Sequence, residues 1–181
     1  MKSFVRNANA LFILVLVGVI AAAFYQELTK EGPPCPLCFL QRVGMVGVAT
    51  GLMMNLCLGV RVPHYALSFL GAILGGAVSV RQILLHICPG FPVFGLPVFG
   101  YNLYTWAFLV FCCSILALVI LLFLYRADQK PKAPLNWFQK LANFSLIVIT
   151  IANLILAFSV CGIKTCPDPA WPQPKETSSP N

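Results

Sequence analysis

Cys35-Pro-Leu-Cys38 runs straight into residues 39–60, FLQRVGMVGVATGLMMNLCLGV, and this stretch decides how the chain folds. Apart from Arg42 the run carries no charge, and at 1.5 Å rise per residue it is long enough to cross the roughly 30 Å hydrocarbon layer of a bilayer as a helix. A pair of thiols therefore stands at the amino terminus of a membrane-spanning helix, with a cation one turn beneath it.

Four further apolar runs flank it: Ala8–Tyr25, Tyr65–Ile87, Tyr104–Tyr125 and Leu141–Val160. Of 181 residues, 59% are hydrophobic and only 9% charged, against about 25% charged in a soluble domain. The sequence thus predicts an all-α integral membrane protein, a transmembrane four-helix bundle plus a fifth, carboxy-terminal span. Gly47 and Gly51 in the second run, and Gly71 and Gly75 in the third, have the four-residue spacing that lets helix backbones approach closely. Residues 1–166 read as one membrane-embedded redox domain. Residues 167–181, with Pro167, Pro169, Pro172, Pro174 and Pro180, read as a flexible tail.

The net charge of +7 forms no stripe suited to nucleic acid; the basic residues stand singly beside apolar runs. Lys2, Arg6, Arg61, Arg126, Lys130, Lys132 and Lys140 all fall on one side of the predicted spans. Lys30, Lys164 and Lys175 fall on the other, offset by Glu27, Glu31, Asp168 and Glu176. The positive-inside rule then places the amino terminus in the cytosol and the carboxyl tail outside. An alternative reading takes the first run as a leader cleaved near Ala21-Ala22-Ala23. Cleavage would remove one span but leave every cysteine on its side.

With this topology Cys35, Cys38, Cys88, Cys161 and Cys166 lie outside or at the outer boundary, while Cys57, Cys112 and Cys113 lie within spans as small hydrophobes. Unpaired N–H groups and the positive end of the dipole at a helix amino terminus stabilise a thiolate, so Cys35 and Cys38 are poised for redox exchange. A Cys-x-x-Cys also serves as half a zinc site or as a staple. Here no second such pair exists, and the two histidines, His64 and His86, fall at opposite membrane faces.

An ionisable side chain inside a span is costly and signals function. Arg42, one turn below Cys38 on the same face, would donate hydrogen bonds to a carbonyl acceptor and stabilise charge on Cys38. Gln41 offers a further donor. Arg81 and Gln82, near the outer end of the third span, are candidates for the same pocket, against the plainer reading of Arg81 as a snorkelling residue. His86 reads as interfacial. Cys161 and Cys166 enclose four residues directly after the last span, a loop that a disulfide can close, either as a shuttle exposed to a soluble partner or as a staple. Five external cysteines cannot all pair within one chain, so Cys88 either joins Cys161 or Cys166 transiently or stays free.

Cys35-Pro-Leu-Cys38-Phe-Leu-Gln41-Arg42, opening a second span of a small multi-span protein, resembles the bacterial disulfide bond formation protein B family. The hydropathy layout extends that resemblance over Ala8 to Tyr125. It implies a thiol:quinone oxidoreductase of the inner membrane, in which Cys35 and Cys38 work with ubiquinone or menaquinone and Arg42 contacts the quinone. It implies as partner a periplasmic thioredoxin-fold dithiol oxidase, reoxidised through a second external cysteine pair. In the better-known pattern that pair lies between the third and fourth spans, where this chain has only Cys88. The resemblance therefore implies a variant in which Cys161 and Cys166 take the shuttle role. The rival enzyme is a quinone reductase of the vitamin K epoxide reductase type, whose Cys-x-x-Cys typically belongs to a late helix. The non-enzymic rival is a membrane scaffold held by structural disulfides.

Overall fold

A computed structural model of the chain describes residues 2–29, 36–87, 98–125 and 134–161. Five helices account for nearly all of them: α1 (Lys2–Leu28), α2 (Pro36–Leu58), α3 (Val62–Ile87), α4 (Leu103–Phe123) and α5 (Trp137–Cys161). All five are long and apolar enough to cross a membrane, and a helix satisfies its own backbone where no water can. The chain is thus an all-helical, multi-pass membrane protein, and each predicted run falls largely inside one helix. α1, α3 and α5 start three to six residues ahead of their runs, whereas α2 and α4 stop two residues short of theirs. Pro36 occupies the first position of α2, where its missing N–H costs nothing. Gly59, with φ of 92°, ends α2 in the left-handed conformation that suits glycine.

Side-chain contacts fix how the helices run. Gln139 on α5 donates to Asn7 on α1 (2.9 Å), so the two helices start together and lie parallel. Gln41 on α2 meets Gln82 on α3, and His86 on α3 meets Tyr104 on α4, so these neighbours are antiparallel. We call the end where α1, α3 and α5 begin proximal, and the end where α2 and α4 begin distal. In the packing order α2 is central, with α3 then α4 on one side and α1 and α5 on the other.

The tightest seam is glycine-built. A Cβ on Gly51 would lie 2.4 Å from the His64 carbonyl oxygen, and one on Gly71 would lie 2.8 Å from the Val48 nitrogen. Ser68 donates across the same seam to the Val48 carbonyl at 2.8 Å. The predicted glycines thus do bring the backbones close: Gly47 faces Gly71, Gly51 faces Ser68, and Gly75 meets Gly44, whose Cβ would lie 2.7 Å from the Gly75 Cα. The Phe111 ring of α4 fills the space left by Gly75 and reaches Gly44 of α2 as well. Since lipid supplies no hydrophobic drive between helices, this close backbone approach is what holds α2 to α3 and sets their rotation.

Candidate functional site

The first turn of α2 carries Cys38, which is partly buried at the distal end. From α3, the Gln82 side chain reaches it, its Nε2–H pointing at Cys38 Sγ at 3.8 Å. The other end of that amide, Oε1, accepts from Gln41 Nε2 at 2.8 Å. Gln82 is only 1% exposed, so its orientation is fixed by both contacts. One turn on, His86 Nδ1 donates to the Gln82 carbonyl (2.7 Å). The His86 ring stacks on Tyr104 of α4, centroids 4.8 Å apart, and Tyr104 Oη accepts from Asn102 at 2.6 Å. The thiol is therefore braced across three helices.

Arg42 lies one turn deeper and is 4% exposed. Its Nη2 pairs with Glu27 at the end of α1. The guanidinium lies over two rings, 4.6 Å from the Phe24 centroid and 5.1 Å from that of Phe39. Among the described residues, its Nε and Nη1 are buried with no hydrogen-bond partner. A buried donor without a partner costs about 1–3 kcal/mol, more for a charged group, so such a group calls for an explanation. Unpartnered guanidinium N–H groups beside aromatic rings suit a planar ligand bearing carbonyl oxygens, which is the donor set a quinone needs. Among the described residues no three His, Cys, Asp or Glu side chains converge as a metal site.

Of the residues singled out in the sequence, Cys38, Gln41 and Arg42 come together here. Arg81 is exposed, whereas the adjacent Gln82 is buried, because neighbours on a helix point about 100° apart. Cys35, Cys88 and Cys166 lie outside the described residues. Cys161 is the last residue of α5; its side chain also lies outside them. As α1 and α5 are parallel, α5 finishes at the distal end, where α2 begins. Cys57, Cys112 and Cys113 are free and exposed on helix surfaces, and Cys57 Sγ accepts from Asn143 at 3.2 Å. His64 is buried beside Asn55 at the proximal end, away from His86.

Sequence reasoning missed Glu27 and Phe24. Glu27 counts there only as a charge offsetting outer lysines. Its signal is faint but real: it is an acid in the last turn of a helix, where the macrodipole disfavours it, and it lies three residues from Phe24, on the same face.

Residues 5–93 match the family described as disulfide bond formation protein DsbB. That stretch holds nearly all of α1 and the whole of α2 and α3, and with them Cys35, Cys38, Gln41, Arg42 and Gln82; α4, α5, Cys161 and Cys166 lie beyond it. The disulfide bond formation protein B of Cupriavidus necator is 31% identical over 87 residues, 46% of this chain and 54% of the relative. The protein of that name from Burkholderia pseudomallei is 34% identical over 90 residues, 48% of this chain and 53% of the relative. The one from Marinobacter nauticus is 36% identical over 83 residues, 44% and 49% respectively. The chain spans about half the length of the curated relatives it matches. No solved structure matches it.

Proposed function

We propose, on the premise that the chain belongs over residues 5–93 to the disulfide bond formation protein B family, that it is a thiol:quinone oxidoreductase which generates disulfides on the outer face of a bacterial inner membrane. The distal end is then periplasmic, and the amino terminus cytosolic, as the distribution of basic residues requires. The observation that carries this reading is the Arg42 guanidinium, buried one turn below Cys38 with Nε and Nη1 unpartnered among the described residues.

The cycle starts on a reduced, thioredoxin-fold dithiol oxidase. Its thiolate attacks the Cys161–Cys166 disulfide, and its second thiol resolves the mixed disulfide, leaving the partner oxidised and Cys161 and Cys166 as thiols. These thiols in turn open the Cys35–Cys38 disulfide. Of the reduced couple, Cys38 stands in the first turn of α2, where the helix dipole favours its thiolate form. The Gln82 amide holds its sulfur, and Gln41 holds Gln82. A bound quinone supplies a lipid-soluble two-electron oxidant. Arg42 orients it through Nε–H or Nη1–H, with Phe24 and Phe39 excluding water. Each cycle returns Cys35 and Cys38 to the disulfide with the loss of two electrons and two protons. Gln82, being buried against the thiol, is favoured over Arg81 as the contribution of α3.

The test uses the full chain in lipid nanodiscs, with decylubiquinone and a reduced thioredoxin-fold dithiol oxidase. Quinone absorbance falls with wild-type protein and stays at background with Cys35→Ser or Cys38→Ser. Cys161→Ser stops oxidation of the partner but not quinone reduction driven by dithiothreitol. Normal partner oxidation by a Cys161→Ser, Cys166→Ser double variant would refute the shuttle assignment; turnover by Cys38→Ser would refute the whole reading.

A further inference from the structure

Glu27 occupies the penultimate position of α1, where the negative end of the helix dipole makes a carboxylate unfavourable. It is nevertheless directed onto Nη2 of the buried Arg42. Phe24, one turn back on the same face of α1, lies against the same guanidinium. The end of α1 thus cradles one cation of α2 with a charge and a ring. The Arg42 side chain is 5% exposed and that of Glu27 23%, so the pair is poorly screened by water and its field reaches neighbouring groups.

One group whose charge changes in the reaction is Cys38, four residues before Arg42 on the same helical face, about 5–6 Å away between Cβ atoms. A bare guanidinium there would favour the Cys38 thiolate and hence the reduced couple. The Glu27 carboxylate opposes that pull. We propose that Glu27 is the counter-charge of this site: it orients Arg42 by occupying Nη2, and by neutralising it sets the redox potential of the Cys35–Cys38 couple. This rests on the reading of Cys35 and Cys38 as a redox couple. It makes Glu27 a positioning residue, acting through Arg42.

The equilibrium with glutathione tests it without any quinone. In this exchange the Cys35–Cys38 disulfide breaks, the disulfide of oxidised glutathione forms, and two glutathione protons pass to the cysteines, or to one cysteine and solvent where Cys38 stays a thiolate. The full chain in nanodiscs is equilibrated at pH 7 over a range of glutathione ratios, acid-quenched, alkylated and read by peptide mass. Removing one unit charge beyond Arg42, about 10 Å from a Cys38 thiolate, with an effective dielectric constant of about 20, changes the equilibrium constant by about tenfold. Glu27→Gln therefore shifts it about tenfold toward the dithiol, some 30 mV more oxidising for a two-electron couple. Arg42→Gln shifts it in the opposite sense. The Glu27→Gln, Arg42→Gln double variant, again neutral, returns to within about twofold of wild type.

The proposal is overturned if both single variants move the equilibrium the same way, or if the double variant stays where Arg42→Gln stands. Should Glu27→Gln fail to fold, Arg42→Gln and the neutral double variant decide. Because no quinone takes part, failure of wild-type protein to reduce decylubiquinone sinks the enzyme reading while the Glu27 result stands by itself.

Discussion

At the proximal end Asn9, Asn55 and His64 are buried much as Arg42 is at the distal end, yet they spend most of their polar atoms on near neighbours. Asn9 donates to the Val5 carbonyl and to Tyr65 Oη. Asn55 Oδ1 takes the Arg61 N–H and lies 3.1 Å from His64 Nδ1. What stays unpartnered there among the described residues is a single amide atom on each of Asn9, Asn55 and Asn143. At the distal end a full charge, one turn below a thiol, keeps two nitrogens unpartnered among the described residues. Such hydrogen bonds stitch helices for modest net energy, whereas a buried charge with spare donors is costly to keep, and under the proposed function it serves a ligand.

That contrast predicts where substitution injures activity and where it injures only stability. Arg42→Met removes a charge-assisted contact worth about 1.5–3 kcal/mol, so the KM for decylubiquinone should rise about tenfold or more in the nanodisc assay while exchange with the partner persists. An unchanged KM would remove the basis for contrasting the two ends. Gly51→Ala should cost about 1–3 kcal/mol, read as a lower midpoint of thermal unfolding, because its Cβ would lie 2.2 Å from Ser68 Oγ and 2.4 Å from a carbonyl oxygen. An unaltered midpoint would mean that α2 and α3 separate readily.

Smaller effects sharpen the distal site itself. Gln82→Ala removes two neutral hydrogen bonds and should slow quinone reduction severalfold, at about 0.5–1.5 kcal/mol each. Arg81→Ala, at an exposed position, should leave it within about twofold; equal losses from both would return Arg81 to the pocket. Smallest of all is Tyr65→Phe, which takes the hydroxyl from Asn9. It should lower stability by about 1 kcal/mol with no change in quinone kinetics, and a kinetic defect would show that the proximal network is more than stitching.

The relation between Cys38 and Arg42 is legible in the sequence, since both ride on one helix and a four-residue spacing fixes their common face. The choice between Arg81 and Gln82 is not. Either side chain could face α2 until the rotation of α3 is known, and that rotation follows from Gly71 and Gly75 seating on α2 and Phe111. Glu27 is hidden for a related reason: fifteen positions of sequence separate it from Arg42, and nothing local to either residue encodes the return of α1 onto α2.

Sequence alone determined the five membrane helices, Cys38 in the first turn of the second, and the cation one turn below it. Each of these depends on hydropathy or on the period of a single helix, quantities that neighbours do not alter. Tertiary structure alone decided which groups complete the site: Glu27 and Phe24 around Arg42, and Gln82 rather than Arg81 against Cys38. Contacts between helices depend on how each is turned about its axis, and close packing of small residues, which no one helix carries by itself, sets that angle.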